Sequence, residues 1–167
     1  VLVLAEGVYT ATDPPLRALR KVIPPLRIGS VQLDLSFLLL TVVLWFLVGY
    51  SLSFGQGPEA VNGLIGGVQA ALLNGVTANT AHSLLPGLPE LLFVAFQMTF
   101  AIITPALIAG AFAERMKFSA SVLFFVLWHL IVYAPICHQV WGGGYLGGIG
   151  VLDFAGGAVV REVDDGV

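Results

Sequence analysis

A glycine-rich segment near the end of the chain carries an indole that could act on a cation. Its sequence, CHQVWGGGYLGGIGVLDF, occupies residues 137–154. The indole face of Trp141 can attract a cation, although tryptophan also serves as an anchor at membrane surfaces. Gly142 and Gly143 follow directly, and glycines are typical of a chain that turns sharply or passes close to another group. Residue type and spacing leave both interpretations of Trp141 open.

A single carboxylate, Asp153, lies near the end of this segment, after a long stretch without acidic residues. As a helix N-cap it would accept hydrogen bonds from backbone N–H groups of the next turn. An ionisable residue at membrane depth is also a functional candidate. The two roles are compatible, because a capped aspartate can set the electric field at an entrance without touching the cargo. We therefore expect a helix to start near Asp153.

Three phenylalanines and two histidines could also take part in chemistry. Phe93, Phe96 and Phe100 are separated by three and four residues, which places them on one face of a helix. Such a stripe is more often packing than a gate. His129 and His138 have no acidic neighbour in sequence, so we expect hydrogen-bonded structural residues rather than a proton relay.

The composition that surrounds these residues is that of a membrane protein. Of 167 residues, 57% are hydrophobic and 10% charged, with a mean hydropathy of +0.94; soluble domains carry about 25% charged residues. Seven basic residues and a net charge of -3 exclude a nucleic-acid surface. The single Cys137 excludes an internal disulfide framework. No catalytic or metal-binding motif occurs, so we expect no enzyme, no metal and no cofactor.

Three windows are long and apolar enough to cross a bilayer, which takes about 20 residues: 35–54, 91–113 and 118–136. Pro105 lies inside the second window and predicts a kink. The repeated PPLR of the first 30 residues breaks any helix there. We predict an all-α polytopic membrane protein with about three complete transmembrane helices plus the start of a fourth, preceded by an irregular lead-in over residues 1–33.

The basic residues predict the orientation of these spans. Lys and Arg occur at 17–27 and, as Arg115 and Lys117, within 114–117, and are absent from 28–114 and 118–160. By the positive-inside rule, segments 17–27 and 114–117 are cytoplasmic, and loops 55–90 and 137–152 lie outside. The prediction is a multi-pass protein of the cell membrane.

Four strings together resemble the ammonium transporter family (the Amt/Mep/Rh superfamily). They are LWFLVGYSLSFG, FVAFQMTFAIITPALIAGAFAERMKF, YAPICHQVWGGG and LDFAGGAVV, in this order between residues 44 and 160. The resemblance implies that residues 34–160 form part of a membrane domain. The three spans would then be the second to fourth helices of an eleven-helix ammonium transporter fold, with the fifth beginning at Asp153.

The resemblance also implies roles for individual residues. Trp141 and Phe100 would bind the substrate, ammonium or ammonia, by cation–π attraction and gating of an apolar pore. Asp153 would support that site from behind, with Phe96, Gly142 and Gly143 shaping the vestibule. The implied partners are the lipid bilayer, two further copies in a homotrimer, and a possible cytoplasmic regulatory protein.

The resemblance ends at Arg161, where the family has a pore histidine. An arginine does not lose its proton, and its insertion at bilayer depth costs roughly 2.5–3.5 kcal/mol. The acids Glu162, Asp164 and Asp165 make residues 161–167 a divergent polar tail. This break predicts a gene fragment or a frame-altered product that conducts nothing when expressed alone.

Two other classes of function stay open from the residues. One is an ammonium-sensing or regulatory membrane module, which would bind without conducting. The other is a membrane scaffold that only packs against a complete transporter. Substitution of Trp141 by leucine in a complete protein separates ammonium recruitment from scaffolding. A loss of the response to ammonium favours recruitment by Trp141, and a loss of assembly alone favours the scaffold.

Overall fold

Helices dominate the fold. The structure, a computed structural model, describes residues 10, 14, 26–28, 31–33, 35–112, 116 and 118–161. The basic residues that predict the orientation lie outside this part of the chain, apart from the backbone of Arg27, and so do residues 162–167.

The first helical stretch covers the predicted span 35–54 without interruption. It consists of α1 (Leu35–Leu44), a π-helical turn (Trp45–Gly49) and α2 (Tyr50–Phe54). No charged residue occurs in it, and α1 is apolar on all faces, which is typical of a helix surrounded by apolar groups.

The second stretch is one helix, α3 (Glu90–Phe112), which agrees closely with the predicted span 91–113. It continues through Pro105, whose ring is buried inside the chain. Glu90 lies in its first turn, where a negative charge interacts favourably with the helix dipole.

The third stretch extends beyond the predicted span 118–136. It consists of α4 (Phe118–Trp128), a π-helical turn (His129–Tyr133) and α5 (Ala134–Trp141). Pro135 lies in the first turn of α5, where a missing backbone N–H is tolerated. The helix therefore includes residues 137–141, which the sequence placed in the outer loop.

Two described helices are long and apolar enough to cross a membrane. They are Glu90–Ala109, of 20 residues, and Ala120–Gly148, of 29 residues. The first stretch contributes a shorter apolar helix, Leu38–Phe54. Three membrane crossings therefore stay a prediction, whereas the apolar helical character of all three stretches is observed.

Two small hairpins occur among the described residues and were not expected from the sequence. Strand β1 (Leu26–Ile28) pairs antiparallel with β2 (Val31–Leu33), inside the lead-in that was expected to be irregular. Strand β3 (Ala81–His82) pairs antiparallel with β4 (Leu85–Pro89). Each pair is too short to form a sheet layer, so the fold remains helical.

Trp45 holds the three helical stretches together. Its side chain is fully buried, and its indole N–H donates to the backbone carbonyl of Val94 in α3 at 3.2 Å. Its ring meets the ring of His129 edge-on, with centroids 6.2 Å apart. One residue of the first stretch thus contacts both others.

The expected fourth helix begins later than predicted. After α5 and the short α6 (Tyr145–Gly148), the chain bends through residues 154–156 and enters a π-helical turn, Gly157–Arg161. The helical backbone starts four residues after Asp153.

Candidate functional site

Three aromatic rings from two helical stretches form a continuous group, called here the aromatic trio: Phe96, Phe100 and Trp141. The ring centroids of Phe96 and Phe100 are 5.2 Å apart, and those of Phe100 and Trp141 are 5.4 Å apart. Both pairs meet edge to face, at 81° and 65°. Phe96 is 54% exposed, whereas Phe100 and Trp141 are half-buried, so the group opens at one end.

The phenylalanine stripe of α3 divides in the structure. Phe93 is buried and packs away from the trio. Its ring centroid lies 4.8 Å from that of Phe54 and 3.7 Å from that of the His82 imidazole. Phe93 therefore belongs to the packing of the core. The aromatic trio contains the other two rings.

The Asp153 carboxylate caps the last helical turn. Its Oδ2 accepts hydrogen bonds from the backbone N–H groups of Ala158 at 3.2 Å and Val159 at 3.1 Å. These donors lie five and six residues on, rather than two or three, because the backbone bends through residues 154–156 first. The carboxylate thus caps this turn, but from four residues before its start and not from the N-cap position that the sequence predicted.

The backbone of Asp153 also contacts the aromatic trio. The indole N–H of Trp141 donates to the carbonyl oxygen of Asp153 at 3.3 Å. One residue thus caps the helical turn with its side chain and holds the indole with its backbone. The supporting role that the resemblance implies for Asp153 stays a prediction.

Glycine is required at the two positions after Trp141 for different physical reasons. A Cβ on Gly142 would overlap the carbonyl oxygen of Ser53 in α2 and crowd the imidazole of His138. Gly143 has φ = +84°, a conformation that costs L-residues with a Cβ free energy. Glycine at 142 allows two helical stretches to approach, and glycine at 143 allows the turn that follows.

His138, which the sequence placed in the outer loop, is a fully buried connector in α5. Its Nδ1 lies 3.0 Å from the carbonyl oxygen of Ser53, and its Nε2 lies 2.7 Å from the carbonyl oxygen of Asn62. Sequence reasoning treated His138 only as a structural histidine. No pattern pointed to its partners, because both of them are backbone groups.

His82 is a second histidine with a defined environment, in the segment between α2 and α3. It is 2% exposed, and its Nδ1 accepts a hydrogen bond from the backbone N–H of Leu84 at 3.2 Å. Burial lowers the pKa of this imidazole, and the Glu90 carboxylate opposes the shift in part. The Glu90 carboxylate itself accepts a hydrogen bond from the Tyr50 hydroxyl at 2.9 Å.

His129 was expected to be hydrogen-bonded, and the described part of the chain provides no partner for either ring nitrogen. Its ring stacks on that of Tyr133, with centroids 5.1 Å apart. No acidic residue among those described contacts it, and no group of three or more potential metal ligands occurs there either. The side chain of Arg161 lies outside the described residues.

The fold and this site together define a class of protein. Long apolar helices carry an aromatic group that is braced by a capping carboxylate at one end of the helices. This combination is typical of a helical membrane protein with an aromatic group near one end of its helices.

Comparisons with known proteins identify the family. The family model of the Ammonium Transporter Family matches residues 31–163. The chain belongs to this family. A second model, CCB3/YggT, matches residues 3–54 and overlaps the first over residues 31–54.

Individual relatives agree with the family match. The chain is 48% identical over 139 residues to an ammonium transporter of Bacillus subtilis (strain 168), covering 80% of this chain and 32% of that protein. It is 52% identical over 129 residues to a putative ammonium transporter of Methanothermobacter thermautotrophicus, covering 76% and 31%. The chain spans about a third of the length of these relatives.

Solved structures of the family have the same fold over most of this chain. Mep2 of Saccharomyces cerevisiae and Mep2 of Candida albicans each match with a TM-score of 0.68 and 34% identity. Each match covers 77% of this chain and 28% of the solved chain. The described helices are thus similar to part of an ammonium transporter fold.

Proposed function

We propose that this chain provides part of an ammonium transport pathway, and that the aromatic trio recruits the ammonium ion at its outer entrance. The observation that supports the proposal is the packing of Phe100 against Trp141, with ring centroids 5.4 Å apart, beside the exposed ring of Phe96. The names of the relatives, ammonium transporters, supply the substrate.

The physical basis of recruitment is cation–π attraction. An indole face near a cation contributes about 0.5–1 kcal/mol at exposed sites and about 2 kcal/mol where water is excluded. The half-buried Trp141 and Phe100 provide such faces, which offset part of the cost of dehydrating the ion. An apolar constriction beyond them would then disfavour potassium, which has no proton to lose, whereas ammonium can continue as ammonia.

The proposal includes the architecture around the site. The three helical stretches would be three of eleven membrane spans in a multi-pass protein of the cell membrane. The aromatic trio would lie on the outer side, with segments 17–27 and 114–117 in the cytoplasm. Homotrimer formation and a cytoplasmic regulatory partner are part of the same proposal, because they follow from the resemblance to the family.

The test is a cation titration of the purified chain in detergent micelles. Methylammonium chloride is added while the indole N–H resonances of ¹⁵N-tryptophan-labelled protein are recorded, with sodium chloride in parallel. We expect methylammonium to shift the Trp141 resonance. Trp141→Leu lacks the reporter indole, so its binding is measured by isothermal titration calorimetry. It should bind methylammonium roughly tenfold more weakly or not at all, because a cation–π contact is worth up to about 2 kcal/mol.

Trp128→Phe is the matched control, because Trp128 packs against Tyr133 and not against the trio. It should leave the titration unchanged. Equal responses to sodium and methylammonium would contradict recruitment, and so would unaltered binding after Trp141→Leu. If that variant instead loses its folded spectrum without any cation effect in the parent chain, the aromatic trio is a scaffold element.

A further inference from the structure

We propose that His138 is a positioning residue for Trp141. Its ring connects α2 and the predicted outer loop 55–90, called here the outer loop, to the end of α5, and thereby sets the position of the indole. The inference rests on the proposed function of Trp141. Two contacts of the His138 ring with backbone carbonyls and two hydrogen bonds to its own backbone carbonyl support this positioning role.

The ring of His138 joins three parts of the chain. It contacts the carbonyl oxygen of Ser53, at the end of the first helical stretch, and that of Asn62, in the following loop, at 3.0 Å and 2.7 Å. Carbonyl oxygens only accept hydrogen bonds, and a neutral imidazole has one N–H, so the tautomer decides which of the two carbonyls receives the hydrogen bond. Because His138 is fully buried, no bulk water replaces these contacts if the ring is removed.

The backbone of His138 closes the helix end that carries Trp141. Its carbonyl oxygen accepts hydrogen bonds from the N–H groups of Gly142 and Gly144, each at 3.0 Å. Trp141 is the last residue of α5, so its position depends on this closure. The ring and the carbonyl of His138 therefore act on the same helix end from two sides.

The outer loop is tied to the glycine-rich segment a second time, at the neighbouring residue. The N–H of Tyr145 donates to the carbonyl oxygen of Gly63 at 2.8 Å, next to Asn62. Without the imidazole, the hydrogen bond from Tyr145 to Gly63 remains between this turn of the loop and the glycine-rich segment. We expect the helix end to shift and the contact of Trp141 with Phe100 to loosen.

Substitutions separate the two ring contacts. His138→Leu removes both ring nitrogens at similar size. His138→Asn places an amide N–H near the position of Nδ1 and can keep the contact to Ser53. His138→Gln places one near the position of Nε2 and can keep the contact to Asn62. His129→Leu is the matched control, because His129 is also buried in the third helical stretch and has no ring hydrogen bond within the described residues.

The measurement is the methylammonium titration followed by the three tryptophan indole resonances. The Trp45 resonance reports on an intact fold, because its N–H donates to Val94, away from His138. In His138→Leu we expect a displaced Trp141 resonance, an unchanged Trp45 resonance, and a Kd for methylammonium raised by about tenfold, which corresponds to about 1.4 kcal/mol. The asparagine and glutamine variants should give smaller increases.

Each outcome bears on the proposal. An unchanged Trp141 resonance and unchanged Kd in His138→Leu would overturn it, and so would an equal effect of His129→Leu. If His138→Leu also displaces the Trp45 resonance, the asparagine and glutamine variants decide, because failure of both to restore Trp141 means that the histidine only stabilises the fold. If the parent chain binds no methylammonium, the proposed function fails, whereas the Trp141 resonance still tests the positioning role.

Discussion

Asp153 has two structural tasks at the residue scale. Its side chain caps a helical turn and its backbone carbonyl holds the indole of Trp141. A substitution of the side chain therefore affects the helical turn first and the aromatic trio through it.

Asp153→Ala is expected to destabilise the chain by about 1 kcal/mol, since that is the typical cost of losing an N-cap side chain. Unfolding of the detergent-solubilised protein, followed by circular dichroism with increasing denaturant, measures the change. Asp153→Asn retains an oxygen acceptor and serves as the control, with a smaller loss expected. Equal stability of the parent and the alanine variant would show that the two hydrogen bonds to Oδ2 contribute nothing.

His82 predicts a pH dependence of stability. Its pKa is lowered in the folded chain from the ordinary value of 6.5, because burial disfavours the charged imidazole more than Glu90 favours it. Protonation therefore favours the unfolded state, and the stabilising contribution of neutral His82 is present above about pH 6.5 and is lost as the pH falls through the lower folded-state pKa.

We expect the midpoint of thermal unfolding to decrease between pH 7.5 and pH 5 in the parent chain, and to decrease less in His82→Phe. Phenylalanine retains the stacking on Phe93 and does not titrate. Tyr50 and Glu90, the other titratable groups of this cluster, are present in both proteins. Identical pH profiles would assign the dependence to other groups.

The sequence predicted single residues well where their chemistry lies in the side chain. Trp141, Phe100 and Asp153 stand out by type and by the strings that contain them, and the structure brings them together. His138 could not be predicted in the same way, because its ring contacts the carbonyls of Ser53 and Asn62. Backbone carbonyls are present at every residue, so no sequence pattern marks them as partners.

At the scale of elements, the junction of α2 and α5 depends on close approach. Gly142 has the carbonyl oxygen of Ser53 where a Cβ would be. Small residues allow helix backbones to come together in a membrane, where packing rather than the hydrophobic effect drives association.

Gly142→Ala should destabilise the chain, because α2 must move away from α5 to admit the methyl group, and overpacking typically costs about 1–3 kcal/mol. Gly148→Ala is the matched control, since a Cβ there meets no atom within 4 Å. Both variants are compared by denaturant unfolding in micelles. A stable Gly142→Ala protein alongside the control would mean that the junction tolerates separation.

Apolar runs predicted the helices closely, whereas their ends were less predictable. The span expected at 91–113 is observed as Glu90–Phe112. The span expected to end at residue 136 continues to Trp141, because Pro135 falls in a first helical turn after the π-helical segment and does not end the helix. The hairpin of β3 and β4 was missed, since its strands are short and rich in proline and glycine.

At the scale of the whole molecule, the chain corresponds to about a third of its relatives. We expect the three helical stretches of the described residues to lack a complete pore of the kind that an eleven-helix fold would provide. The proposed recruitment site would therefore exist in this chain without a complete path behind it.

Expression of this chain alone should fail to restore growth of transporter-deficient cells on low ammonium. The same cells expressing the Bacillus subtilis ammonium transporter provide the positive control, and immunoblotting of membranes verifies that the chain is present. Restored growth at a comparable rate would refute the expectation and would mean that the chain, alone or assembled, forms a conducting path.

The predicted orientation can be measured by cysteine labelling. Gly75 lies exposed in the loop expected outside, with φ = +79°, and Met116 lies between the predicted cytoplasmic residues Arg115 and Lys117. In intact cells, a membrane-impermeant maleimide should label Gly75→Cys and leave Met116→Cys unlabelled. The native Cys137 is buried and provides the background. The opposite labelling would reverse the orientation.

The position of Trp45 has a consequence for the order of assembly during synthesis. Its two distant partners, Val94 and His129, belong to helices that are made later. At a synthesis rate of about 5–20 residues per second, roughly 4–17 seconds separate Trp45 from His129. During this interval the ring of Trp45 lacks its contact with His129 of the third helical stretch. The packing around Trp45 is therefore complete only when the third helical stretch has been made. A ribosome that stalls before His129 would leave two apolar helical stretches without their third packing partner.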